Sequence, residues 1–182
     1  KQFFAISNGE LISTKNEGDD KIYHWSQTQV HPTYLMTLAV GDFDEIKDEW
    51  NGKPVNYYVE KVREAEGKRS MGKTHKMMKF VSNTFGYPYP FPKYAQVCVD
   101  DFIFGGMENT STTLLTDRCL LDERASLDNR ATESLVAHEL AHQWFGDLVV
   151  IKHWSHAWIK EGMASYCEVL WTNEEYGKED AA

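Results

Sequence analysis

The spacing of apolar residues divides the chain into three stretches. Residues 1–45 read as β-rich. Residues 7–11 (SNGEL) carry an Asn-Gly turn signal, and residues 15–20 (KNEGDD) read as a polar loop. Residues 33–40 (TYLMTLAV) form an apolar run of strand length, closed by Gly41-Asp42, and residues 55–60 (VNYYVE) read as a further strand. The period then changes. Residues 69–85 carry Met77, Met78, Phe80, Val81 and Phe85 at helical spacing, with Gly86 as the stop. Alternate prolines in residues 87–94 (YPYPFPKY) predict a stiff, extended linker. Two strands follow, at residues 95–99 and 112–116, with FGGMEN (residues 104–109) between them. The last stretch is helical. One helix is expected from an N-cap at Asp128 to Phe145, stopped by Gly146, and a second over residues 158–171.

On the first of these helices lies VAHELAHQWFGD, which contains H-E-x-x-H as His138, Glu139 and His142. Residues four apart lie one turn apart on the same face, so both imidazoles can grip one ion. The helix is apolar nearly all round, through Leu135, Val136, Leu140, Ala141, Trp144 and Phe145, and is therefore expected to be buried. Burying two imidazoles and the Glu139 carboxylate without partners would cost several kcal/mol. A bound zinc ion removes that cost, so the pattern predicts a metal site rather than two satisfied core histidines.

The third ligand sorts the alternatives. One class of such peptidases continues with Gly and His three and six residues after the second His. Phe145 and Leu148 stand there, which excludes that class. Glu161 lies on the second helix with 18 residues between it and His142, and is the expected third ligand. Gly162 beside it is expected to let the helices approach closely. His153 and His156 read as surface histidines. Glu139 points differently from the ligands and is left free to take the proton of a water acidified by the metal.

FGGMEN bears on where a peptide would be cut. Gly105 and Gly106 leave backbone open to a ligand, and Glu108 supplies a carboxylate able to hold a free α-ammonium. Taken alone, that segment reads rather as a Gly-Gly turn with a solvated glutamate. An endopeptidase with the same zinc chemistry, and a non-catalytic zinc-binding scaffold, are the competing readings.

Together, GGMEN, HELAHQWFGD and WIKEGMASY resemble the gluzincin aminopeptidases, the family of aminopeptidase N and leukotriene hydrolase. PTYLMTLAVGDF (residues 32–43) and FGYPYPFPKY (residues 85–94) are similar to further segments of that family. The resemblance implies an α+β, thermolysin-like catalytic domain of mixed sheet and helices over residues 46–182, preceded over residues 1–45 by the end of a β-domain. It implies His138, His142 and Glu161 as zinc ligands, one Zn2+ per chain, and Glu139 as general base. Glu108 is implied to bind the substrate amine, with Gly105, Gly106 and Met107 lining the scissile residue. The implied substrates are peptides with a free N-terminus. The chain departs from the family at SHAWIK (residues 155–160), where the family often has Asn-Asp-Leu-Trp-Leu-Asn. The family's transition-state tyrosine lies beyond residue 182, and neither Tyr166 nor Tyr176 matches it. The chain is thus expected to be a piece of a longer enzyme, with little or no activity alone.

Composition narrows the partners. A formal net charge of −9 argues against nucleic acid or an anionic membrane as the main partner. No apolar run is long enough for a membrane span. Hydrophobic residues at 42% are sufficient for a packed core. Three cysteines without C-x-x-C do not make a disulfide framework, and the compartment stays open.

Overall fold

Residues 3–181 are described by a computed structural model. The chain begins with β1 (Phe4–Ser7), β2 (Glu10–Glu17), β3 (Asp20–Ser26) and β4 (Leu38–Gly41), arranged as two antiparallel pairs, β1 with β4 and β2 with β3. The Asn8-Gly9 signal is a corner between the two pairs rather than a hairpin. Gly9 sits at φ 75°, and a Cβ there would lie 2.0 Å from the Ser26 carbonyl oxygen. The hairpin lies instead inside the stretch expected to be a loop. Glu17 faces Asp20 across a two-residue turn at Gly18-Asp19. Side chains of β2 are exposed throughout, so no apolar alternation marked that strand.

The apolar run at residues 33–40 is only half a strand. Thr33–Leu35 form a 3-10 turn ahead of β4. Asn8 explains the break: its amide donates to the Leu35 carbonyl at 3.0 Å, and its Oδ1 accepts from the Thr37 N–H at 2.8 Å. These groups are thereby taken from any strand ladder.

A five-stranded mixed sheet follows. β5 (Phe43–Trp50) and β6 (Lys53–Glu60) form a hairpin through Asn51-Gly52, both with positive φ as a primed turn requires. β7 (Tyr94–Val99), β8 (Gly106–Met107) and β9 (Thr112–Thr116) complete the order β5-β6-β7-β9-β8. The β6–β7 and β7–β9 pairs are parallel, while β8 runs antiparallel along β9 at the sheet edge.

One helical run was expected over residues 69–85, but there are two helices, α1 (Glu64–Met71) and α2 (Thr74–Phe85). Thr74 Oγ1 donates to the Met71 carbonyl at 2.6 Å across the break. Gly86 ends α2 at φ 67°, as the sequence indicates. α3 (Ala131–His142) is shorter than expected at both ends. The cap position falls on Arg130, not Asp128, and the first helical N–H is taken by the Asn129 side chain at 2.9 Å. After His142 the turns widen: Asp147, Leu148 and Val149 donate to the carbonyls of His142, Gln143 and Trp144. α4 (Ala157–Tyr176) is longer than expected.

The sheet is covered on both faces. One face packs Val55, Tyr57 and Val59 against Met77 and Met78 of α2 and Val136 and Leu140 of α3. The other packs Tyr58, Ala95 and Val97 against Ile6 and Ala39 of the N-terminal pairs. Alternating side chains of β6 thus serve two cores, which is the period-two rule applied to a sheet between layers. The result is a mixed α+β architecture. No helix among the described residues is long and apolar enough to cross a membrane.

Gly162 does not do what was expected of it. It is exposed, and a Cβ there would meet nothing within 4 Å. The α3–α4 contact is made instead by Ala141, Ala164 and Cys167, all buried. Small side chains on the facing surfaces serve where a glycine was expected.

Candidate metal centre

α3 and α4 bring three ligand atoms to one point. His138 Nε2 and His142 Nε2 are 3.1 Å apart. Glu161 Oε2 lies 3.4 Å from the first and 3.3 Å from the second. Atoms each about 2.05 Å from a tetrahedrally held ion are separated by about 3.3–3.4 Å. The triangle therefore has the dimensions of a zinc site.

The outer nitrogens of both rings are already committed. His142 Nδ1 lies 3.0 Å from the Phe145 carbonyl oxygen, which accepts, so Nδ1 carries the proton. His138 Nδ1 is 2.6 Å from Glu168 Oε1, and the other Glu168 oxygen accepts from Ser134 Oγ. With both protons directed outward, two Nε2 lone pairs face each other and the Glu161 carboxylate. A cation between them removes that repulsion, so the residues present fit a metal ion. Carboxylate or carbonyl support of the outer nitrogen is the usual way a ligating imidazole is oriented.

Glu139 stands beside the triangle. It is buried, and its Oε2 meets no protein donor among the described residues. Burial raises its pKa to about 7. Glu108, Glu139 and His142 form a second close cluster of potential ligand atoms, so Glu108 lies on the same cleft.

The GGMEN segment forms the facing wall. Gly106 pairs with Leu115 and Met107 with Leu114, while the Gly105 carbonyl accepts from the Thr116 N–H at 2.9 Å. A Cβ on Gly106 would lie 2.4 Å from Glu139 Oε1, so only glycine lets this backbone pass so close to the carboxylate. Gly105 is under less pressure, with Leu135 as its nearest neighbour at 3.4 Å.

Glu108 is not a solvated side chain. It is buried and paired with Lys160, Nζ to Oε1 2.6 Å. The same ammonium reaches Glu161 Oε1 at 2.5 Å. Although burial opposes it, the Glu108 and Glu161 contacts hold Lys160 protonated far above the ordinary lysine range.

Three supporting residues escaped the sequence reading. Glu168 lies two turns beyond Glu161 on α4, and that spacing is its only signal. Lys160 adjoins Glu161 where the chain departs from the gluzincin pattern. Gln143 follows the second histidine and is buried. Its amide donates to the Glu108 and Asn109 carbonyls, and its Oε1 accepts from the Ser111 N–H at 2.8 Å. It ties α3 to the wall opposite. His153 and His156 lie outside the cluster, and His153 Nδ1 sits 2.8 Å from Ser155 Oγ.

Residues 69–182, well over half of the chain, match the Peptidase family M1 domain. The chain belongs to peptidase family M1. Similar M1 relatives are named as aminopeptidases. Probable aminopeptidase 2 of Sulfurisphaera tokodaii is 36% identical over 168 residues, covering 91% of this chain and 22% of that protein. Aminopeptidase M1 of Arabidopsis thaliana is 34% identical over 93% of this chain and 20% of its own length. Leucyl aminopeptidase of Saccharolobus solfataricus is 34% identical over 89% of this chain and 21% of its own length. The chain therefore spans about a fifth of the length of the curated M1 relatives it matches.

Proposed function

We propose that this chain carries the zinc centre and substrate-amine anchor of an aminopeptidase that removes N-terminal residues from peptides. The observation that carries the reading is the His138–His142–Glu161 triangle facing Glu108 across one cleft. Membership of family M1, generally zinc-dependent, and the names of the relatives support it. A zinc ion held by the three ligands would polarise the scissile carbonyl and acidify a water molecule.

The protein's own residues divide the remaining work. Glu139 takes a proton from the attacking water and returns it to the departing amine. Its buried setting suits both tasks, because a base and acid near neutrality exchange protons readily. Gly105, Gly106 and Met107 present an edge strand along which substrate backbone can lie. Glu108 receives the α-ammonium and so limits cleavage to the first peptide bond. Glu168 and the Phe145 carbonyl hold the two imidazoles in the tautomer that leaves Nε2 free to bind the ion.

We further propose that the sheet and helices form a thermolysin-like catalytic domain over residues 46–182, and that residues 1–45 are the end of a β-domain. In support, the two small strand pairs use residues 4–41, and the first strand of the five-stranded sheet begins at Phe43, three residues ahead of that boundary.

The test is cleavage of one peptide with its N-terminus free and acetylated, by the full-length zinc-loaded protein. The free peptide is expected to lose residues from the N-terminus and the acetylated one to resist. Equal rates on both would remove the amine-anchoring role of Glu108. A gluzincin endopeptidase is the second reading, and the Glu108–Lys160 pair favours it, since Glu108 then serves as a structural partner of that lysine. Internal cuts in the acetylated peptide would support it.

A further inference from the structure

The Glu108 carboxylate already holds a primary ammonium. Lys160 Nζ lies 2.6 Å from Glu108 Oε1 and 2.5 Å from Glu161 Oε1, and both members of the Glu108–Lys160 pair are 5% exposed. The lysine enters along its aliphatic stem, whose Cδ packs beside Gly146. Chemically, a lysine ammonium and a substrate's α-ammonium are the same group, with three donors and one charge. A carboxylate has acceptor sites for more than one donor, but a second ammonium on Glu108 would stand at close range against the lysine's like charge in a buried setting.

We propose that Lys160 is a specificity-determining residue: its ammonium stands in for the substrate's α-ammonium on Glu108 and must give way before a free N-terminus binds. The inference rests on the amine-anchoring role proposed above for Glu108. The geometry provides somewhere for the lysine to go. Its second partner, Glu161, retains it. No bond is made or broken in the exchange. Without substrate, Lys160 keeps Glu108 from being a buried, unpaired charge. With substrate, the incoming ammonium takes over that task. The exchange lowers the apparent affinity for free amines, as any competing closed state does. It also narrows the difference between free and blocked N-termini.

The test uses full-length zinc-loaded protein with Lys160 intact and as Lys160→Asn, Lys160→Gln and Lys160→Arg. Binding of leucinamide and of N-acetyl-leucinamide is measured by calorimetry, together with zinc content and melting temperature. The Asn and Gln variants are expected to keep zinc and to melt lower without ligand. They should bind leucinamide about tenfold more tightly, with the acetylated compound unchanged. Lys160→Arg retains the cation and is expected to bind leucinamide no better than the parent. Unchanged or weaker leucinamide binding in a folded, zinc-replete Asn or Gln variant overturns the proposal. So does tenfold tightening in Lys160→Arg, the variant best placed to fold if the others do not. A preference for leucinamide that is independent of residue 160 overturns the competition alone. Loss of any preference in every variant overturns the amine-anchoring role itself.

Discussion

Glu139 is confined on every side. Its Oε1 lies 2.4 Å from where a Gly106 Cβ would be, and its Oε2 is buried without a protein donor among the described residues. Replacing Glu139 with Gln preserves size and removes the base. Zinc content should be unchanged while turnover falls by about 10²–10⁴-fold. Retained turnover would take Glu139 out of that role. Gly106→Ala tests the same carboxylate from the other side. The added methyl must displace Glu139 or the edge strand, so turnover should fall by about tenfold or more with zinc still bound. A fully active Gly106→Ala enzyme would show that the contact is unimportant. The two residues were unequally legible. The i, i+4 histidines advertise themselves and their intervening glutamate, because helical periodicity alone puts the rings on one face. Gly106 announces an open backbone, but nothing in the sequence says that Glu139 fills the opening. Lys160 was less legible still, since a lysine on a helix is ordinarily solvated.

At the level of elements, the site depends on how closely α3 and α4 approach. Ala141 and Ala164 are fully buried at that contact, and Cys167 nearly so. Ala164→Leu would force extra volume between the helices at a cost of about 1–3 kcal/mol. The expected result is a lower melting temperature and weaker zinc binding together, because Glu161 shares α4 with the wedge. A drop in melting temperature with unaltered zinc affinity would separate the helix contact from the site. The sequence showed both helices but misplaced their ends and chose Gly162 as the point of contact. Helix ends are set by local side-chain captures such as Asn129 on the Ala131 N–H. The contact face is the one that carries Ala164 and Cys167, which leaves Gly162 in solvent. The break between α1 and α2 and the β2–β3 hairpin were hidden for a related reason. In each, polar side chains and a glycine decide the chain path without changing the apolar period.

For the whole molecule, the wall bearing Glu108 is held between two layers. Asn8 donates to the Thr110 carbonyl at 2.7 Å, and Lys93 reaches the Ser7 and Ser111 carbonyls at 3.0 Å each. Gln143 ties the same wall to α3 from behind. Metal binding should therefore stabilise the protein well beyond its ligands. Saturating zinc at about a thousand times its dissociation constant contributes about 4 kcal/mol. Chelation should lower the melting temperature, and zinc should restore it. A melting temperature indifferent to chelator would favour a scaffold without a metal. By itself the sequence determined what depends on short-range repetition: the two histidines, the glutamate between them, the glutamate on the next helix, and the strand-to-helix change of period. Only the tertiary structure decided what depends on segments far apart in the chain. It buried Glu108 against Lys160 across 52 positions, set Glu168 behind His138, and left Gly162 in solvent. The physical reason is that periodicity specifies which face a side chain is on. Which partner waits on that face is fixed only when separate elements pack.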